Sequence, residues 1–269
     1  MRSTRSRFAR LLASAAIVGA IAAATAGCQT TQSTETTGSL TLAPADRSDA
    51  DWRHDIEVYG QKYRENPSDL NVALRYTQAL RATGQRAQAV AILEQLAMQN
   101  PTNKPVLGEY GRALAEAGDY EQALEVFDRA HTPDQPDWHI LSAQGAVLDQ
   151  LGRHDDAQRH YLTALKIVPN EPSVLSNLGL SYALAKDLPK AETTLRLAAG
   201  QHPVDPRVRQ NLALVVGLQG RFAEAEGIAR ADLPPDQAAA NVAYLRQMLA
   251  HKGTMPLANQ AARYGAGPS

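Results

Sequence analysis

Residues 138–169 read WHILSAQGAVLDQLGRHDDAQRHYLTALKIVP, and this stretch decides the fold. Leu141, Gly145 and Leu148 stand at i, i+4 and i+7, one face of a helix. Leu151-Gly152 then interrupts the pattern, and a second face begins with Ala157, Tyr161 and Ala164. Glycine at the interruption permits the left-handed backbone of a helix C-cap, and Pro169 closes the unit. The stretch therefore predicts two helices folded into a hairpin. Gly145 has no side chain where the helices would cross, and the small Ala157 lets the second helix approach the first.

Outward from this hairpin, the same signals recur every 34 residues. Ala157 belongs to a column with Ala89, Ala123, Ala191 and Ala225. Five residues before each alanine stand Gly84, Gly118, Gly152, Lys186 and Gly220, so the lysine predicts a fourth turn unlike the others. Leu93, Phe127, Tyr161 and Leu195 follow the alanines by four, and Pro101, Pro169 and Pro203 mark three of the boundaries between copies. The period and residue types resemble the tetratricopeptide repeat. Five copies occupy about residues 70–231, and Tyr59 and Pro67 fit the second helix of a half copy before them. After Asp232-Leu233-Pro234-Pro235, Asp236 is placed to cap a helix through about Leu249. Its stripe of Ala240, Tyr244 and Met248 is expected to cover the last apolar face, as such a stack requires. The expected fold class is all-α, an α-α superhelix (solenoid) of about five tetratricopeptide helical hairpins plus a preceding helix and a C-terminal capping helix. It spans residues 51–250, and the Gly/Ala/Pro-rich residues 251–269 read as a loose tail.

Residues 1–27 read as an export signal: four arginines without acids, the apolar run Leu11 to Ala24, then Thr25-Ala26-Gly27 before the chain's one cysteine, Cys28. These small residues resemble the lipobox of bacterial lipoproteins, in which Cys28 would be acylated, although Thr25 stands where the pattern usually has leucine. Two other readings compete, cleavage after Ala24-Thr25-Ala26 with a free thiol left behind, and an uncleaved signal anchor. Gln29 after the cysteine resembles the lipoproteins sent on to the outer membrane, on its periplasmic face. Residues 28–50 then form a Thr/Ser-rich tether with a mean reach of roughly 25 Å.

Composition narrows the function. The 27 Lys and Arg, four of them before Cys28, face 28 Asp and Glu, which leaves no basic field for nucleic acid. One cysteine excludes an internal disulfide framework and a multi-thiolate zinc site. No phosphate loop, H-E-x-x-H pair or G-x-S-x-G elbow occurs, so neither catalytic residues, a cofactor, a metal site nor a small-molecule substrate is expected. His154 and His160 lie six apart, on different helix faces, and the seven histidines read as solvated surface groups. Glu116, Asp119 and Glu121 flank a turn, where solvation and the helix dipole account for them.

What remains is the concave face, lined in such stacks by the first helix of each copy. Counting from the copy starts, Asn71, Arg75, Gln78, Arg81, Glu109, Arg112, Glu116, His139, Ser142, Asp149, Ser173, Asn177, Leu180, Arg207, Gln210, Asn211 and Leu214 point inward. From these, Gln78, Arg112, His139, Asn177, Arg207, Gln210 and Asn211 are taken as the partner-binding groove. Asn177 and Asn211 are 34 apart and offer both a donor and an acceptor to a ligand's backbone, or to a brace within the stack; both readings stand.

The C-terminal third resembles one family more specifically. Asn211-Leu212-Ala213-Leu214-Val215-Val216-Gly217-Leu218-Gln219-Gly220-Arg221-Phe222-Ala223-Glu224-Ala225-Glu226, then Asp232-Leu233-Pro234-Pro235 and Ala240-Asn241-Val242-Ala243-Tyr244-Leu245, is similar to the TadD-like repeat lipoproteins of tight-adherence (Tad/Flp) pilus assembly. The similarity runs over about residues 60–250. It implies a non-enzymatic, outer-membrane-anchored periplasmic scaffold whose partners are a pilus secretin or other Tad components. A periplasmic adaptor lipoprotein organising peptidoglycan enzymes shares every feature except the C-terminal run.

Overall fold

The computed structural model describes residues 47–132 and 134–253, the last three by their backbone alone. The signal segment, Cys28, most of the tether and the tail beyond Gly253 fall outside the described residues. Twelve helices follow one another among the described residues, with no strand between them. α1 (Asp49–Glu65) precedes five hairpins: α2 (Leu70–Ala82) with α3 (Arg86–Gln99), α4 (Lys104–Ala117) with α5 (Tyr120–Ala130), α6 (Trp138–Gln150) with α7 (His154–Ile167), α8 (Pro172–Leu184) with α9 (Leu188–Ala199), and α10 (Pro206–Leu218) with α11 (Phe222–Ala229). α12 (Pro235–Gly253) closes the stack. The expected solenoid of five hairpins with a helix at either end is the observed fold.

Each hairpin closes as its sequence requires. A Cβ built on Gly111 would lie 2.5 Å from Phe127 Cε1, one on Gly145 2.7 Å from Tyr161 Cε1, and one on Gly179 2.6 Å from Leu195 Cγ. Only a glycine leaves room for these side chains, which are 0 to 1 % exposed. The alanine column, Ala89, Ala123, Ala157, Ala191 and Ala225, is fully buried at the same crossings.

A second column, absent from the pattern traced above, starts the first helices. Asp69, Asn103, Asp137, Glu171 and Asp205 are 34 apart, and each side chain accepts from a first-turn backbone N–H of α2, α4, α6, α8 or α10. These caps satisfy amides that a helix start leaves unpaired, and Pro105, Pro172 and Pro206 sit in the first turn where a missing N–H costs nothing.

Two expectations need correction. The fourth turn does not differ: Lys186 takes φ 67°, beside 73° for Gly152 and 81° for Gly220. It also makes the same pair of bonds, its own N–H to Ala183 O and the Asp187 N–H to Tyr182 O. The hairpin geometry imposes the left-handed backbone, and the lysine bears the strain. The stripe of α12 is also different. Ala240 is exposed, Tyr244 is 65 % and Met248 43 % exposed, while Ala238 and Val242 are buried and Leu245 packs against Gly217. The α12 helix begins one residue before Asp236, so the aspartate lies within its first turn.

Replacing Lys186 by glycine is expected to raise unfolding stability by about 1 kcal/mol through relief of this strain, and Gly145→Ala to lower it by about 1–3 kcal/mol through the clash with Tyr161. Denaturant midpoints of the two variants measure both, and a Lys186→Gly variant no more stable than the parent would mean that the turn is unstrained.

Candidate functional site

The even-numbered helices α2, α4, α6, α8, α10 and α12 touch one another in series, whereas the odd-numbered ones touch only their sequence neighbours. The first helices therefore line the inner face of the stack. On it, α2, α4 and α6 enclose a cleft of about 730 Å³. Leu74, Pro105, Gly108 and Ile140 give it apolar surface, and Asn71, Arg75, Gln78, Lys104, Glu109, Arg112, Gln135, Asp137 and His139 give it polar surface.

The longest of the connections between copies borders the cleft. α5 ends at Ala130 and α6 begins only at Trp138, so the connection is long although the 34-residue period is kept. Gln135 occupies the position that holds proline at the other boundaries, and its Oε1 accepts from Lys104 Nζ at 2.9 Å. The widened linker thus forms one wall of the cleft.

Of the seven groove candidates, Gln78, Arg112 and His139 meet in this cleft. The other four lie farther along the stack, on α8 and α10. Asn177 Nδ2 donates to Ser142 Oγ at 3.3 Å, and Asn211 Nδ2 to Ser176 Oγ at 3.0 Å. Each asparagine thus reaches back to the preceding copy, the contact expected of a brace. Arg207 pairs with Asp205 at 2.8 Å beside the start of α10, and Gln210 is exposed.

Several inward charges serve the stack itself. Arg81, its side chain 8 % exposed, donates to Glu116 through Nε at 2.9 Å and Nη2 at 2.6 Å and also bonds Glu109. Arg112 Nη1 donates to the second oxygen of Glu109 at 2.8 Å. Glu116 is therefore half of a buried, forked ion pair joining the first two copies, which corrects its reading as a solvated turn residue. Between the third and fourth copies, Asp149 accepts from Ser181 Oγ at 2.8 Å and Tyr161 Oη at 3.2 Å and meets His154 Nδ1 at 2.8 Å. Burial raises the Asp149 carboxyl above its ordinary range, against the pull of these partners.

Two histidines are also less solvated than expected. Gln144, 1 % exposed, donates through Nε2 to Asp128 at 2.8 Å, so its Oε1 accepts from His131 Nε2 at 3.2 Å. That assignment makes His131 Nε2 the donor of the pair. The Nδ1 atoms of His131 and His160 are both buried without a hydrogen-bond partner among the described residues. Burial holds His160 below the ordinary imidazole value; Asp128 and Asp156 draw it up, and His131 and Arg159 push it farther down. No group of three or more His, Cys, Asp or Glu among the described residues is placed to hold a metal ion.

Comparison with known proteins gives the repeat a family. Tetratricopeptide repeats match residues 80–145 and, in a second form, residues 142–206. PilW, a widely conserved type IV pilus biogenesis factor, superposes with a TM-score of 0.63 at 16% identity, over 72% of this chain and 91% of its own. A thermophilic tetratricopeptide-repeat protein of Thermus thermophilus gives a TM-score of 0.56 at 20% identity, over 62% of this chain and 91% of its own. A tetratricopeptide-repeat protein of Parabacteroides merdae gives 0.55 at 15% identity, over 66% of this chain and 71% of its own. At these identities the likeness is one of fold. No curated sequence matches the chain.

Two measurements separate brace from groove. Arg81→Ala is expected to cost roughly 3 kcal/mol of stability by stranding Glu116, whereas Arg75→Ala on the same helix should change it by no more than about 0.5 kcal/mol. The unfolded chain protonates His160 near pH 6.5 while the folded chain resists, so stability should fall as pH drops through about 6.5 toward 5. Thermal melts of the parent and His160→Asn across that range check it, and an equal pH slope in both would remove His160 as the cause.

Proposed function

We propose that this tetratricopeptide-repeat protein is a non-enzymatic, lipid-anchored scaffold on the periplasmic face of the outer membrane, which binds a secretin or another component of a Tad/Flp pilus apparatus through its inner face. Tetratricopeptide domains bind protein partners. The observation that carries the reading is the cleft of about 730 Å³, where side chains from three copies converge while the neighbouring Arg81 and Glu116 are engaged in bracing the first two copies. A cleft shared by three copies is a surface that no single hairpin offers, and an extended segment of a partner can run along it.

The pilus part of the proposal rests on the C-terminal third, from Asn211 to Leu245, with the export signal and Cys28 in front. That a type IV pilus biogenesis factor, PilW, is built on the same fold agrees with it. The tether supplies the geometry. A chain acylated at Cys28 would hold the stack roughly 25 Å from a lipid surface, with the inner face free to meet a membrane-embedded assembly.

Crosslinking in intact cells, followed by capture of the detergent-solubilised protein and mass spectrometry, is expected to recover a pilus secretin. Alanine at Gln78, Arg112 and His139 together should reduce that recovery at least tenfold with helix content unchanged. Recovery of murein hydrolases or synthases without a secretin would replace the pilus reading by a cell-wall one. Cys28→Ser is expected to abolish lipid labelling and move the protein to the soluble periplasmic fraction; retention at the membrane would assign anchoring to another element.

A further inference from the structure

The inner face changes character along its length. In the α2–α4–α6 cleft the acids are already engaged: Glu109 is divided between Arg81 and Arg112, and Asp137 accepts from the His139 N–H at 2.8 Å and meets its ring Nδ1 at 3.1 Å. The bases are not all matched. Lys104 bonds only the neutral amide of Gln135, at 2.9 Å, and Arg75 has no carboxylate within ion-pairing distance among the described residues. Two cations, Arg75 and Lys104, thus border the cleft against one carboxylate that no cation pairs, Asp137, and the excess of positive charge favours an anion brought by an incoming chain.

Farther along, α8 carries no charged residue at all. Its Leu184 is 54 % exposed, and Leu214 on the neighbouring α10 is 43 % exposed. Leu180 and Leu214 stand 34 apart, the same position of successive copies. The polar groups beside these leucines are paired within the stack, Asn177 to Ser142 of α6 and Asn211 to Ser176 of α8. A partner's register would therefore be set at its ends, by charge at one and by aliphatic contact at the other.

We infer that the inner face takes an extended partner segment of two-part chemistry, with carboxylate side chains in the α2–α4–α6 cleft and aliphatic side chains over α8 and α10. The inference rests on the groove reading above and adds the chemistry of the occupant. Packed helices stand about 9 Å apart, so the two zones lie about 18–27 Å from each other, or five to eight residues of extended chain at about 3.3 Å each. The protein's own tether does not supply this occupant. Leu40 and Leu42 lie within seven residues of Arg47, a reach of at most about 25 Å, whereas Leu184 on α8 is three inner helices beyond α2 and Leu214 on α10 four, about 27 and 36 Å. Residues 254–269 contain no acidic side chain.

The test uses the full chain and fluorescein-labelled peptides of one length: two glutamates, a six-residue Gly-Ser spacer and two leucines, made in both chain directions. Controls carry lysines for the glutamates, serines for the leucines, or the two pairs side by side. By fluorescence anisotropy the spaced Glu/Leu peptide, in one direction, is expected to bind at least tenfold more tightly than every control. Arg75→Glu should weaken it at least tenfold and favour the lysine control, and Leu184→Asp with Leu214→Asp should abolish the advantage of leucine over serine, with melting temperatures unchanged. Equal binding of the lysine or serine controls overturns the inference. So does an absence of peptide binding while capture of a partner in cells still depends on Gln78, Arg112 and His139, a result that leaves the groove reading intact. Capture indifferent to those three residues, with no peptide binding, overturns both.

Discussion

The seat of a large second-helix side chain on a bare first-helix glycine sets the distance between the two helices of a copy, and the other contacts of the stack depend on that distance. Phe127, Tyr161 and Leu195 occupy space that a single methyl group at Gly111, Gly145 or Gly179 would fill. Because the seat returns at 34-residue steps in the three middle copies, their first helices arrive at the same depth, and the inner helices touch in series as one surface. At the ends the rule relaxes. Buried Thr77 and Ala213 stand at the corresponding positions of the first and fifth copies, and in the fifth the close approach moves to Gly217, against Leu245 of α12. The closing helix thus takes a glycine seat of its own.

A continuous inner surface built from packed helices must do two things with its polar groups, hold neighbouring copies together and leave something for a partner. The division is visible residue by residue. Arg81 with Glu116, Asn177 with Ser142, Asn211 with Ser176, and Asp149 with Ser181 each join one copy to the next. Such pairs are buried or half-buried, and their geometry fixes the curvature of the face rather than its affinity for anything else. Arg75, Gln78 and His139 sit among them in the cleft, on the same face but toward open space. The sequence places both classes at inward positions, and only their contacts separate them.

That distinction explains what the sequence made legible. The period, the glycine and alanine columns and the half copy at Tyr59 follow from backbone geometry and close packing, which restrict residue types strongly at fixed positions. They identify five hairpins with a helix at each end. The candidates on α2, α4 and α6 converge because their positions in the copy are equivalent, so Gln78, Arg112 and His139 could be selected by counting. The roles of Asn177 and Asn211 could not, because an amide that braces and an amide that binds occupy the same place and differ only in what stands opposite. The histidine pair was hidden for a related reason: His131 lies in the widened linker, and burial of its Nδ1 depends on Gln144 and Asp128 rather than on any spacing.

The closing helix shows where periodicity alone runs out. Along α12 two series share the helical step, Ala238, Val242 and Leu245 on one side, and Ala240, Tyr244 and Met248 on the other. The second carries the larger side chains and is the natural choice if burial follows size. Burial here follows the seat instead. Gly217 offers a recess into which Leu245 fits with its Cδ2 2.5 Å from where a Cβ would be, and that contact fixes the rotation of the helix about its axis. Ala238 and Val242 then turn inward with Leu245, and Tyr244 must turn out. A recess on the facing helix thus outweighs hydrophobic bulk on the helix itself, the same constraint that spaces the helices within the three middle hairpins.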